Sequence, residues 1–472
     1  MMRCVTAPLL CGLLLAVAIT SHARAAEAPK EDVDLIVRGD YVLTMDAEDR
    51  LIEQGAVAIA ADRIVAVGPW QDIDAGYRAP TVLPGDSRVV MPGLVNGHTH
   101  TAMTLFRGMV DDLDLMTWLN DYVFPMEGRF VTPEFVRIGT RLACWEMIES
   151  GTTSFLDMYF YPEVIASVVD ECGLRAVVAA PHIDFPSPGF KGWDDSFAAA
   201  IEFVKAWQGR HPRITPAFAP HAPYTVVPEH IAATAKMAAA LNAPVSMHIA
   251  EAPAEKELIF ERYETSPVQH VASTGLFDQR LTGAHMIQLD AEDIALVARK
   301  GVGAVHNPTS NMKLGAGVAP VTAMIAAGVN VGLGTDGAAS NNDLDMWEEI
   351  RLAALVHKLH AGDPEALPAP MALAMATRMG AHAAGLGDSV GQLVPGKQAD
   401  LIQVDYSQQR HGPLYDVRSH LVYVLDSTDV MTTVVAGRIL MREREVLTID
   451  GEKLRRDVTQ VRDAIRAALA EQ

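Results

Sequence analysis

The chain has 472 residues, of which 49% are hydrophobic and 21% charged, and it carries a formal net charge of −21. That balance fits a folded α/β protein of enzyme size and argues against disorder. The acidic charge argues against nucleic acid and an anionic membrane surface as partners, and is best read as a well-solvated surface.

In chain order, Met1-Met2-Arg3 forms a charged start and Ala7 to Thr20 an apolar stretch too short to span a bilayer comfortably. Ala23-Arg24-Ala25 has the form of a cleavage site, so residues 1–25 are expected to be a signal peptide cut after Ala25. The expectation is a periplasmic or secreted protein with no stable membrane association after cleavage. No cysteine follows a lipobox-like sequence there, so no lipid anchor is expected. Cys4 and Cys11 would leave with the signal. Cys144 and Cys172, in helix-like stretches without metal-site spacing, read as buried inert thiols rather than a disulfide framework.

Short β runs follow at Asp34-Leu-Ile-Val, Gly55-Ala-Val-Ala-Ile-Ala and Arg63-Ile-Val-Ala-Val, and similar runs return at Asp400-Leu-Ile-Gln-Val and Val430-Met-Thr-Thr-Val-Val. Between them, strand-like and helical segments alternate as repeated βα units. The apolar run Val89-Val90-Met91 leads into His98-Thr99-His100, whose two imidazoles point the same way on extended backbone and can reach one cation. Later strand-like runs end at His221, His248, His285 and Asp336, with Glu251 just beyond His248. Chemistry at the carboxyl ends of parallel strands is the layout of a (β/α)8 barrel. The predicted strands end at His100, Met158, Ala180, Pro220, His248, His285, Val305 and Asp336, and an amphipathic helix is expected over Lys453 to Ala470.

The stretches Pro92-Gly-Leu-Val-Asn-Gly-His-Thr-His100, Pro220-His-Ala-Pro-Tyr224, His248-Ile-Ala-Glu251, His306-Asn-Pro-Thr-Ser-Asn311 and Gly334-Thr-Asp-Gly-Ala-Ala-Ser-Asn-Asn342 resemble the amidohydrolase superfamily. They are most similar to its 5-methylthioadenosine/S-adenosylhomocysteine deaminase and chlorohydrolase group, over about Val33 to Thr448. The resemblance implies a metal-dependent hydrolase barrel over 89–392. It also implies a small composite β-sandwich domain built from 26–88 and 393–448, with 449–472 as a C-terminal helix. Relatives of this group are generally cytosolic and begin near Val33, so a cytoplasmic protein with an over-extended start is the alternative to export.

The resemblance implies His98, His100, His248 and Asp336 as ligands of one divalent ion, zinc favoured and iron the alternative. The ends of strands two and four offer no lysine to bridge a second ion. Asp336 and His285 would activate water, with Glu251 shuttling its proton to a ring nitrogen and then to the leaving amine. Glu251 also reads as a plain surface carboxylate after a strand. Substrate contacts are expected from Trp118, Glu127, His221, Glu251 and Ser340, with Glu127 on ribose hydroxyls. Trp118 reads equally as core, and Glu127 also as an ordinary first-turn helix acid.

One departure bears on the substrate. Ala179-Ala180-Pro181-His182-Ile183-Asp184 holds no arginine where some members place one, leaving His182 or Lys191 to take its part. That weakens the case for a substrate carrying a free carboxylate and favours a smaller 5′-substituted adenosine. The resulting expectation is hydrolytic deamination of methylthioadenosine, S-adenosylhomocysteine, adenosine or 5′-deoxyadenosine. The alternatives are hydrolysis of another amino- or halo-substituted heterocycle (triazine, pterin or oxidised purine) and a non-catalytic nucleoside-binding protein. The partner is a small molecule, and a homo-oligomer is left open.

Overall fold

The computed structural model describes residues 1–2 and 29–469. The expected signal peptide therefore falls almost entirely outside the described residues, as does Ala470 at the end of the predicted final helix. Among the described residues no helix is long and apolar enough to cross a membrane.

Eight parallel strands form the centre: Leu94–Thr99, Thr152–Met158, Arg175–His182, Ile214–Pro220, Val245–Ile249, Leu281–His285, Gly303–His306 and Val331–Leu333. Nearly every residue in them is buried, which explains why the sequence shows continuous apolar runs rather than alternation. The ring closes between the last and first strands. Asp336 N donates to His98 O at 3.0 Å, and the Asn96 amide exchanges hydrogen bonds with Thr335.

Helices pack outside, and Pro133–Ser150 shows how the sequence delimits them. Thr132 caps the Phe135 amide, Pro133 occupies the first turn, and Gly151 ends the helix in a left-handed turn. The final helix, Gly451–Leu469, starts two residues before the expected position and lays Leu454, Ile465 and Ala468 inward.

A second sheet joins both parts of the chain. Strand Arg88–Pro92 lies between Leu35–Leu43, which it meets in parallel, and Leu401–Asp405, which it meets antiparallel. Val37, Val57, Val90, Leu401 and Val434 share its core. The expected barrel start at 89 is thus shifted: Arg88–Pro92 pairs in this sheet, and the first barrel strand begins at Leu94. Gly93 alone connects the two, and a Cβ there would meet the Thr153 side chain at 2.1 Å. The interface is pinned by Arg175, whose guanidinium donates to Asp400 Oδ2 at 2.7 Å and to Gln398 Oε1 at 2.9 Å with almost no exposure.

Strand two matches its predicted span. Strand five runs one residue past His248, and strand eight stops at Leu333. Asp336 stands three residues beyond, on left-handed backbone at φ +61°. The apolar run Val329 to Leu333 reads onward into Gly334-Thr335-Asp336, but those residues turn to close the ring.

Candidate active site

The carboxyl ends of the strands surround a cavity of about 70 Å³. His98, His100 and His248 bring their ligating nitrogens together there, and His285 and Asp336 join His98 in a second grouping. The backbone orients two of the rings. His100 Nδ1 lies 2.5 Å from Met158 O and His248 Nδ1 lies 2.8 Å from His221 O, so each presents Nε2 to the centre. The separations are 3.4 Å for His98 Nε2 to Asp336 Oδ1, 3.2 Å for His100 Nε2 to the same oxygen, and 3.3 Å between His100 and His248 Nε2.

These spacings match the edge, about 3.4 Å, of a tetrahedron of ligands about 2.1 Å from a central ion. The His98 ring is fully buried; its Nδ1 has no hydrogen-bond partner among the described residues, and its Nε2 meets the Asp336 carboxylate at 3.4 Å. A buried ring so incompletely satisfied suits a ligand to an ion. Burial also pulls His98 down to about 4 and His248 well below its usual range, which keeps both as neutral ligands. The residues fit a divalent cation.

Asp336 is held from several sides. Gly337 N donates to Oδ1 at 2.8 Å, while the Ser310 and Ser340 hydroxyls donate to Oδ2 at 2.7 and 3.0 Å. Burial opposes its ionisation, but the His100 and His98 rings hold it well below the usual carboxylate range. Ser340 was expected on the substrate. It instead lies behind Asp336, 2% exposed and off the cavity wall, with its hydroxyl engaged by the carboxylate.

Glu251 and His285 face each other at the same end, with Glu251 Oε1 3.6 Å from His285 Nε2. Glu251 is 5% exposed rather than a surface group, and burial raises its carboxyl above the ordinary range. A carboxyl buried there, 3.6 Å from His285, is placed to take up a proton and pass it on. Its loop is organised by Glu255, which accepts from the Ala250 and Glu251 amides at 2.9 and 2.7 Å.

Trp118, Glu127 and His221, the expected substrate contacts, line the cavity. Trp118 is 7% exposed, belongs to the main core cluster and opens a π-helical turn on the cavity wall. Glu127 accepts from the Tyr159 hydroxyl at 2.7 Å, and burial pushes its carboxyl up to about 7. His221 Nδ1 pairs with Thr225 Oγ1 at 2.9 Å, and burial drives the ring down to about 3, hence neutral.

Neither proposed substitute for the missing arginine serves. His182 is 1% exposed, bound to Ala180 O and Thr234, and lowered by burial to about 3; Lys191 is exposed and off the cavity wall. Cys144 and Cys172 are buried free thiols, as read from the sequence.

Sequence reasoning missed Tyr159, Glu255 and Ser310. Tyr159 directly follows the strand-two end and Ser310 lies within the Asn-Pro-Thr-Ser-Asn motif, so position was a usable signal for both. Glu255 had only its four-residue offset from Glu251.

Comparison with known proteins places this geometry in context. The amidohydrolase family model matches residues 89–440. A 5-methylthioadenosine/S-adenosylhomocysteine deaminase of Pelotomaculum thermopropionicum is 46% identical over 89% of this chain and 96% of its own length. One from Syntrophobacter fumaroxidans is 42% identical over 92% and 98%. Among solved structures, a zinc-bound adenosine deaminase from Xanthomonas campestris shares 40% identity, with a TM-score of 0.91 over 93% of this chain and 100% of that one. The chain belongs to the amidohydrolase family.

Proposed function

We propose that this protein is a metal-dependent hydrolytic deaminase of adenosine-type nucleosides, converting the 6-amino purine to its 6-oxo form with release of ammonia. The observation that carries this reading is one cavity whose wall brings two kinds of group together. His100, His248, Asp336, Glu251 and His285 line it, and so does the Glu127–Tyr159 pair. The deaminase relatives and the zinc-bound adenosine deaminase support it.

His98, His100, His248 and Asp336 would hold one ion, zinc by preference for this donor set. When bound, such an ion acts as a Lewis acid that lowers the pKa of water from about 15.7 toward about 7. Asp336 takes a proton from the attacking water, and His285 Nε2 orients that water by a hydrogen bond. Glu251 delivers a proton to the ring nitrogen beside the amino-bearing carbon, recovers one from the new hydroxyl as the 6-oxo group forms, and passes it to the departing amine as the C–N bond breaks; the proton taken by Asp336 then restores Glu251. Glu127, when ionised, accepts from both ribose hydroxyls.

A second chamber adjoins this cavity through shared Phe124, Glu127, Phe160 and Ile183, and is otherwise walled largely by Val131, Phe185 and prolines. Among the described residues, none on its wall is cationic. A small uncharged 5′ group therefore suits it better than an amino acid.

The test is ultraviolet-monitored turnover by the zinc-loaded protein on adenosine, 5′-deoxyadenosine, methylthioadenosine, S-adenosylhomocysteine and several aminated heterocycles. An adenine-to-hypoxanthine spectral change, lost in His285→Ala, is expected. Turnover of another ring and no adenosine would replace this reading with a different heterocycle hydrolase.

A further inference from the structure

Behind the cavity, a chain of polar side chains runs from His285 outward to the helix Met346–Ala361. His285 Nδ1 lies 3.0 Å from Asn311 Oδ1, Asn311 Nδ2 lies 3.3 Å from His306 Nδ1, and His306 Nε2 lies 3.3 Å from His357 Nε2. Exposures are 1%, 1%, 2% and 3%, so none of the four can readily exchange its partner for bulk water. His285 Nε2, at the cavity end, has no hydrogen-bond partner among the described residues.

Proton counting makes this a directed chain. Two neutral imidazole nitrogens facing each other share one proton, and an amide has one donating and one accepting end. With Asn311 Oδ1 on His285, the His285 proton sits on Nδ1. Asn311 Nδ2 then donates to His306 Nδ1, and His306 Nε2–H donates to the lone pair of His357. Reversing any member requires reversing all of them. Asn307 Nδ2, 3.3 Å from His285 Nδ1, is a longer contact than the Asn311 oxygen and reaches no further group of the chain. Burial holds His306 well below its usual range and His357 down to about 4, so neither carries the second proton that would break this pattern.

We propose that His357, remote from the cavity, is a positioning residue: through His306 and Asn311 it fixes His285 as the tautomer whose Nε2 is an unprotonated acceptor facing the reaction centre. This rests on the reading above only in giving that acceptor its partner, the attacking water. Histidine rings that meet a reacting water are commonly fixed in this way by a group behind them. Here the group is placed three hydrogen bonds away.

The first measurement is the nitrogen-15 spectrum of histidine-labelled, zinc-loaded protein, with the His285 signals identified from His285→Gln. Wild type should show His285 protonated at Nδ1, and His357→Leu should show a mixture or the opposite tautomer. The second is kinetic. In His357→Leu, kcat should fall about tenfold or more with KM changed less than twofold and zinc content unchanged. His357→Gln, whose amide can accept at the same place, should recover most of the loss. Protonation of His285 at Nε2 in wild type overturns the proposal without any variant, as does an unchanged tautomer in a folded His357→Leu. Failure of the wild type to turn over any adenosine would refute the deaminase reading and leave the spectrum to decide this one.

Discussion

Tyr159→Phe isolates the hydrogen bond that holds the Glu127 carboxyl. The phenol donates to Glu127 at 2.7 Å inside a site where the carboxyl is 4% exposed. Burial pushes Glu127 up to about 7, and the Tyr159 hydroxyl and the His100 ring restrain it from going higher. A hydrogen bond to a charged group contributes about 1.5–3 kcal/mol. At 1.36 kcal/mol per unit, its removal should displace Glu127 upward by about one to two units. The ionised carboxylate is the form that accepts a diol, so kcat/KM should rise with pH as Glu127 deprotonates. The midpoint of that rise should lie about one to two units higher in Tyr159→Phe than in wild type. The assay is kcat/KM against pH from about 5.5 to 10, run with an adenosine and its 2′,3′-dideoxy analogue. The analogue should lack this limb in both proteins. Coincident profiles, or a limb equally present for the dideoxy substrate, would refute the assignment of Glu127 to the ribose.

Glu251→Gln should retain zinc and lose about 10²- to 10⁴-fold in kcat, because an amide cannot relay a proton; single-turnover kinetics on a zinc-assayed sample would show it, and a loss under threefold would exclude the shuttle. Ser340→Ala should weaken zinc about tenfold by removing one donor to Asp336, read by competition with a chelator; an unchanged zinc affinity with a raised KM would return Ser340 to the substrate. Glu255 and Glu349 are both pushed up to about 8 by burial. Unfolded glutamates titrate near about 4.3, so the folded chain holds more protons between the two values and stability falls as pH rises through that window. The buried histidines with lowered values act in the opposite sense, but only below about 6.5. The melting temperature of the zinc-loaded protein should therefore drop from about pH 6.5 to 8.5, and a rise in calorimetry would contradict the burial argument.

Much of the fold was legible because a strand buried on both faces leaves a continuous apolar run, and Ala176-Val177-Val178-Ala179-Ala180, within Arg175–His182, is such a run. His98, His100, His248 and His285 could be read because a strand end determines where its last side chain can point. Asp336 was identifiable as a residue but not as a position: its left-handed backbone follows from ring closure against His98 and Asn96, partners more than two hundred residues away. Ser340 illustrates the limit for small hydroxyls. A serine beside a site can face ligand or carboxylate, and only the packed turn shows that Asp336 takes it. Glu255 was hidden for a similar reason, because it works by accepting from the Ala250 and Glu251 amides, contacts whose direction no periodicity encodes. The small sheet was inaccessible to local reasoning, since its pairing joins the two ends of the chain.

That sheet also has a consequence for timing. Strand Arg88–Pro92 gains its neighbour Leu401–Asp405 only after roughly 300 further residues have been made, a pairing of very long sequence separation and hence slow to form. Since Gly93 alone separates this strand from the one bearing His98 and His100, these two candidate ligands adjoin a pairing that cannot form until residue 405 has been made. A nascent or truncated chain would carry the ligand residues without a finished cradle for them. Metal acquisition is thereby coupled to completion of the polypeptide, and an incomplete product should take up ions loosely and release them.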